Sequence, residues 1–205
     1  AASRRGRPCK MRYDRDDDMT ITGKRHDFRI DYRVGTDAEG RITGIDFDHY
    51  CRCGWSIDLS PPVADRAMLH ADNAYLLEHV RITSHRLRTN TQSATAYRGF
   101  GGPQGMVAIE RVLDHIAHVV GRDALEVRRL NYYADAHPPS ADGSTPPPAA
   151  PVQTTPYHME VEDFVLNGLT ADLETRADYK TRRAAVDAWK ESHDVLKKGL
   201  ALTPV

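Results

Sequence analysis

Three glycines within four residues, Gly99, Gly101 and Gly102, stand directly before Pro103 and a long apolar stripe at helical spacing. Such a cluster permits backbone angles closed to other residues and lets another group approach the main chain. Pro103 pre-sets the first turn of a helix, and Met106, Ile109, Leu113, Ile116 and Val120 follow three or four apart, a stripe that Gly121 ends. The chain is thereby committed to a glycine loop that feeds a helix needing a layer beneath it. Alternating segments upstream supply that layer. Ile30, Tyr32 and Val34 share one strand face while Arg29, Asp31 and Arg33 take the other, and the turn-like residues 36–40 lead into a second alternating run through Ile45 and Phe47. This pattern predicts a β-hairpin. Val80 and Ile82 open a further strand toward Leu87, and residues 7–13, with Cys9, Met11 and Tyr13 against Lys10 and Arg12, predict one more half-buried strand.

Shorter helices are predicted over residues 62–70 and 123–131, the second with Asp123 as its N-cap and Leu125 and Leu130 facing inward. Val161, Val165, Leu169 and Leu173 lie four apart, Tyr179, Val186 and Trp189 mark a second amphipathic stretch, and Gly199 with Leu200 and Leu202 predicts the entry to a strand. Between these halves, residues 137–156 hold seven of the 12 prolines and almost no large apolar side chain, the composition of an exposed loop or linker. The expected architecture is α+β, in three parts: residues 1–136 with hairpin, glycine loop and long helix, the insert 137–156, and a helical pair over 157–205.

Charge removes several classes of partner. Lys+Arg 28 against Asp+Glu 29 leaves a net charge of -1, so no field gathers nucleic acid or an anionic membrane. No apolar run approaches the roughly 18 residues of a membrane span, and the start lacks the apolar stretch of a secretory signal. Cys9, Cys51 and Cys53 are a sparse, odd set, which points to a reducing compartment and a cytoplasmic location. The opening Ala1, in place of methionine, points to a piece of a longer protein.

No metal site is assigned. Asp14, Asp16 and Asp18 match the start of a calcium loop, but Met19 stands where glycine is needed and Arg25 where a closing glutamate is needed, so they read as turn or helix-start carboxylates. Cys51 and Cys53 lack a second cysteine pair, and His115 and His118 fall on a solvent flank of the long helix. Residues 96–105 are different in kind: the start of a helix favours an anion, and Arg98, buried beside it, would add a fixed positive charge. The dinucleotide fingerprint is not met, because Gln104 occupies its third glycine position. A tight turn before a helix accounts for the same spacing, although Phe100 between glycines is unusual in a plain turn.

The run Ala96-Tyr97-Arg98-Gly99-Phe100-Gly101-Gly102-Pro103-Gln104-Gly105 resembles the signature of molybdenum hydroxylases of the xanthine dehydrogenase and aldehyde oxidase family. The resemblance extends over nearly the whole chain, through Tyr13-Asp14-Arg15-Asp16-Asp17-Asp18-Met19, Thr22-Gly23-Lys24-Arg25-His26, Asp65-Arg66-Ala67-Met68-Leu69-His70-Ala71-Asp72-Asn73-Ala74-Tyr75 and Thr155-Pro156-Tyr157. It implies a partial molybdopterin-binding domain, a middle section of the molybdenum-binding subunit of a xanthine dehydrogenase-type enzyme. Tyr97, Arg98 and Gly99 then line the molybdenum-molybdopterin cofactor, Phe100 meets a flat heterocycle, and Arg66 steadies a purine oxygen and the charge that develops on the ring. The implied reaction hydroxylates hypoxanthine or xanthine toward urate with oxygen from water. Its electrons leave through iron–sulfur clusters and FAD on partner domains or subunits of an oligomeric enzyme. An aldehyde-oxidising relative and an inert remnant or interaction module are the alternatives. The general base and the remaining cofactor segments match nothing in these residues, so the piece alone is expected to be inactive.

Limited proteolysis with a protease of broad specificity is expected to cut first within residues 137–156 and leave the flanking segments folded. Mass spectrometry of the first fragments checks this, and initial cleavage elsewhere would mean that the insert is docked.

Overall fold

The computed structural model describes residues 2–135 and 152–204. In chain order its elements are α1 (Ala2–Arg5), α2 (Arg15–Ile21), β1 (Phe28–Thr36), β2 (Ile42–Gly54), α3 (Ser60–Met68), β3 (Val80–Arg88), α4 (Gly102–Val120), α5 (Ala124–Leu130), α6 (Leu166–Arg176) and α7 (Tyr179–Ser192). The expected hairpin is present as β1 and β2, antiparallel. Its turn is held by the Asp37 carboxylate, which accepts from the backbone N–H groups of Glu39 at 3.1 Å and Arg41 at 2.7 Å. β3 lies parallel to β2, Phe47 opposite Ile82, an arrangement that the crossover through α3 makes possible. β2 is therefore the central strand of three.

Alternation along β2 sends Ile45, Phe47, His49, Cys51 and Cys53 to the buried face. The inner stripe of α4, through Ile109, Val112, Leu113 and Ile116, packs with Ile42, Ile45 and Phe47 to form the main core. Polar ties fix the register of this layer. The buried Asn131 accepts from the Ile42 N–H at 2.8 Å and donates to the carbonyls of Gly40 at 3.0 Å and Val127 at 2.8 Å, joining the end of α5 to the hairpin turn. Arg128, 1% exposed, donates to Glu110 at 2.7 Å and to Asp114 at 2.9 Å, and the Tyr75 hydroxyl donates to Glu110 at 2.5 Å. A buried guanidinium satisfied in this way is costly to disturb, since removing its partner strands a charge.

The crossover helix meets α4 through backbone. A Cβ on Gly101 would lie 2.0 Å from the Val63 carbonyl oxygen, and one on Gly105 would lie 2.2 Å from that of Ala67. Gly101 also has a φ of 102°, closed to ordinary side chains, whereas Gly105 sits in regular helix. Pro61 and Pro62 supply the first turn of α3.

Asp123 caps α5 as expected, accepting from Leu125 N–H at 2.8 Å, and Asp14 caps α2 by accepting from Asp17 N–H at 2.8 Å. Leu125 is buried and Leu130 half-buried. Three expectations fail. Residues 7–13 form no strand: no described strand runs beside them and Met11 is 75% exposed, so their alternation has no sheet edge to act on. α6 begins at Leu166, leaving Val161 and Val165 outside it, and Leu169 and Leu173 are exposed. Steps of four advance a little more than one helical turn, so repeated fours wind around the helix and hold no single face. Residues 200–202 are irregular. There the Leu200 carbonyl accepts from Arg183 at 3.0 Å and the Pro204 carbonyl from Asn73 at 3.0 Å, which tethers the segment by side chains instead of a ladder. Most of the insert, residues 137–151, lies outside the described residues. At its end the Gln153 side chain accepts from the Ala134 N–H at 2.8 Å and donates to its carbonyl at 3.1 Å.

Gly105→Ala isolates the α3–α4 contact, because alanine is the better helix former and its only cost is steric. The substitution is expected to lower the thermal midpoint of the 205-residue chain by roughly 5–10 °C. Gly168→Ala in α6, where a Cβ meets nothing within 4 Å, is expected to leave it level or raise it slightly. Circular dichroism melts check both.

Candidate functional site

The glycine loop is a chain of tight turns. Phe100 N–H donates to the Tyr97 carbonyl at 2.8 Å, Gly102 N–H to Gly99 at 2.9 Å and Gln104 N–H to Gly101 at 3.1 Å. Gly99, Phe100 and Gly101 have φ of 88°, 53° and 102°, three successive left-handed residues. Phe100 is the unusual member, since an aromatic in this region costs roughly 1 kcal/mol or more and persists only where its surroundings fix it. Gly101, jammed against α3, fixes it here. The loop turns Tyr97, Arg98 and Gly99 outward and leaves Phe100 half-buried.

Two expectations about this loop change. Arg98 is exposed, not buried, because the left-handed run throws the segment away from the core. The start of α4 offers no free donor: Gly102, Gln104 and Gly105 spend their N–H groups on the loop carbonyls and Pro103 has none. The available donors lie one turn earlier. Gly99 N–H donates to no described residue, and Arg98 forms no ion pair among them.

Residues 24–26 brace the loop from behind. Arg25 donates from Nη2 to the Arg98 carbonyl at 2.6 Å, and its guanidinium lies 4.5 Å from the centroid of the Tyr97 ring. Its Nη1 is buried without a partner among the described residues, as is Oε1 of Gln104. Gln104 donates from Nε2 to the His26 carbonyl at 3.0 Å, and His26 Nε2 shares a hydrogen bond of 2.7 Å with Ser60 Oγ at the start of α3. Burial holds the His26 imidazole below its ordinary pKa.

Arg66 projects from the exposed side of α3, between the two residues whose carbonyls meet the glycines. Its positive charge reaches the Tyr157 hydroxyl, which burial and the neighbouring Asp72 push upward in pKa and Arg66 pulls back. Asp72 is buried, and that burial raises its carboxyl to about 6. A cavity of about 190 Å³ lies between Asp72, Met68, Ile82 and Tyr157.

These positions meet a family. Residues 1–132 match the molybdopterin cofactor-binding domain. The chain belongs to that family. Over the whole chain it is 39% identical to a xanthine dehydrogenase of Drosophila subobscura and 37% identical to one of Drosophila pseudoobscura pseudoobscura, and it spans 14% of the length of each. Among solved structures it is similar to the aldehyde oxidoreductase of Desulfovibrio desulfuricans ATCC 27774, with a TM-score of 0.74 and 25% identity, covering 91% of this chain and 19% of that one. The α+β reading agrees with a partial domain of this type.

A molybdopterin is anionic and rich in hydrogen-bonding groups, and this loop fits it: the Gly99 N–H and the exposed guanidinium of Arg98 are donors of the required kind. Elsewhere the described residues contain no group of three or more His, Cys, Asp or Glu placed to hold a metal ion, and no helix long and apolar enough to cross a membrane. Cys51 and Cys53 are buried, and burial raises the Cys51 thiol to about 12, which keeps it protonated. His115 is exposed and shares a 2.7 Å hydrogen bond with the Tyr32 hydroxyl. Of the five residues singled out from sequence, Tyr97, Arg98, Gly99 and Phe100 share one loop, and Arg66 stands on the helix locked to it. Sequence reading missed Arg25, Gln104 and Asp72. Arg25 lies within the family-like run 22–26, but nothing local signals a contact 73 residues away.

Asp72 gives a pH-dependence with a defined sign. Its folded pKa of about 6 exceeds the ordinary carboxyl value, so the protonated form favours folding; this contribution is complete below about pH 4 and lost as pH rises through 6. Urea titrations are expected to show Asp72→Asn gaining on the original protein between pH 4 and 7 by on the order of 2–3 kcal/mol. A constant offset over that range would place an ionised Asp72 in a solvated site.

Proposed function

We propose that this chain forms one wall of a molybdopterin site and the adjoining substrate wall of an enzyme that hydroxylates purines. The observation carrying the proposal is the backbone interlock of α3 with the glycine loop, which sets Arg66 and Phe100 on one rigid support. Tyr97, Arg98 and Gly99 hold the cofactor from the outward side of the loop. The chemistry that the bound molybdenum cofactor supplies is two-electron oxidation of a ring carbon, with the oxygen drawn from water. Phe100 selects flat rings by stacking, and its strained backbone keeps the ring from drifting. Arg66 pairs with a purine oxygen and stabilises negative charge that grows on the ring as the reaction proceeds. Iron–sulfur clusters and FAD on partner domains or subunits would supply the onward electron transfer, in an oligomeric, cytoplasmic enzyme.

The two xanthine dehydrogenases at 39% and 37% identity support the purine reading. The structural likeness to an aldehyde oxidoreductase favours a second one, aldehyde oxidation on the same cofactor. Arg66 separates them, since a small aldehyde has no ring oxygen for a guanidinium to engage.

In the full-length enzyme containing this chain, Arg66→Met is expected to lower kcat/KM for xanthine by roughly 100-fold or more, with molybdenum content unchanged and small aldehydes much less affected. Steady-state kinetics beside metal analysis checks this. Equal losses for xanthine and aldehydes, with metal retained, would remove Arg66 from substrate selection.

A further inference from the structure

Arg25 has no role in the chemistry just described, yet its setting is unusual. It is a partly buried guanidinium that forms no ion pair with any described carboxylate; it is spent on one backbone carbonyl, Arg98 O at 2.6 Å, and one aromatic face, Tyr97 at 4.5 Å. Its Nη1 remains buried, with no partner among the described residues. Leaving a charge in such a place is unfavourable unless the contacts it makes matter.

The base of Arg25 is immobilised. Lys24 O accepts from Thr95 N–H at 2.9 Å, and His26 O accepts from Gln104 at 3.0 Å. A Cβ on Gly23 would lie 2.7 Å from the Ser93 carbonyl oxygen, so residues 23–26 run directly against residues 93–95. A fixed backbone aims a planar fork, and that fork grips the Arg98 carbonyl. The carbonyl belongs to the Arg98–Gly99 peptide. In a planar trans peptide the C=O and the following N–H point in opposite directions. Holding the carbonyl toward Arg25 therefore turns the Gly99 N–H away from it, to the outward side of the loop, where it meets no described acceptor. The residues on both sides need the restraint, because Gly99 and Phe100 sit in left-handed conformations that a free loop would leave.

We propose that Arg25 is a positioning residue that orients the Arg98–Gly99 peptide and the Tyr97 ring, so that the Gly99 N–H faces the cofactor. This rests on the reading that residues 97–99 hold molybdopterin. Arg25 acts through the loop and touches no reacting atom.

The test uses the full-length enzyme containing this chain, with Arg25→Met and Arg25→Lys, and two readouts: hydrogen exchange of the peptide spanning residues 97–102, measured with and without cofactor, and molybdenum per subunit. Arg25→Met is expected to speed exchange at Phe100 and Gly102, whose N–H groups are bonded within the loop, by about tenfold, the scale of losing a hydrogen bond from a charged donor, to do so at Gly99 only when cofactor is bound, and to leave the middle of α4 unchanged. Molybdenum content is expected to fall severalfold, with kcat per molybdenum reduced more than KM is raised. Arg25→Lys keeps the charge over Tyr97 but not the fork, so it is expected to recover part of the metal while exchange stays fast. Should Arg25→Met fail to fold, Arg25→Lys alone decides: behaviour like the original protein in both readouts would overturn the proposal. So would unchanged exchange in a folded Arg25→Met protein. If the original enzyme oxidises aldehydes but not purines, the purine reading fails while these readouts still judge Arg25; if it holds no molybdenum, the cofactor reading fails and exchange alone still judges whether Arg25 fixes the peptide.

Discussion

Two absent Cβ atoms organise this chain. Gly101 and Gly105 let the carbonyls of Val63 and Ala67 approach to distances that any side chain would forbid, so the crossover helix and the long helix meet backbone to backbone. Contacts of that kind cannot slide, because an ångström of displacement either opens a void or drives atoms together. The loop between residues 97 and 101 is caught at one end by this contact and at the other by Arg25. Its strained turns follow from the restraint at both ends, and so does the outward display of Tyr97 and Arg98.

The interlock would place the loop nowhere in particular were α4 itself not registered against the sheet. That registration is polar as well as apolar. The stripe from Ile109 to Ile116 buries area on β2, which is favourable but indifferent to small shifts along the strand. Asn131, bonded to Ile42, Gly40 and Val127, and Arg128, bonded to Glu110 and Asp114, are not indifferent, since each shift would leave a buried polar group unpaired. Apolar burial brings the layers together, and these buried polar groups select one alignment. The same Glu110 accepts from Tyr75 and Asn73 beyond the end of α3, so α4 is tied by hydrogen bonds to the segment that leaves α3 as well as by sterics to α3 itself.

Much of this was legible in the sequence where local physics decides. The hairpin, α4 with its terminal Gly121, and α5 with its Asp123 cap each follow from a period or a capping side chain within a few residues. The parallel pairing of β2 with β3 was not legible, because it depends on the path of a crossover. Nor was the irregular course of residues 7–13, whose alternation needs a strand alongside to become structure. For the site, the loop residues were found through their glycines and their family resemblance. Arg98 was expected inside because charge near a helix start suits an anion, and the left-handed run put it outside. Arg25 and Asp72 escaped notice because their importance lies in partners remote in the chain or in burial, neither of which a local pattern records.

The interlock also divides the loop between two kinds of residue. Gly101 and Gly105 face α3 and are fixed by sterics, whereas Tyr97, Arg98 and, on α3, Arg66 carry exposed side chains and Phe100 a half-buried one. Alteration of the second group leaves the first untouched. A scaffold arranged in this way is evolvable in a specific sense: the side chains that the loop displays are free to change, while the backbone contact that aims them is inherited unchanged.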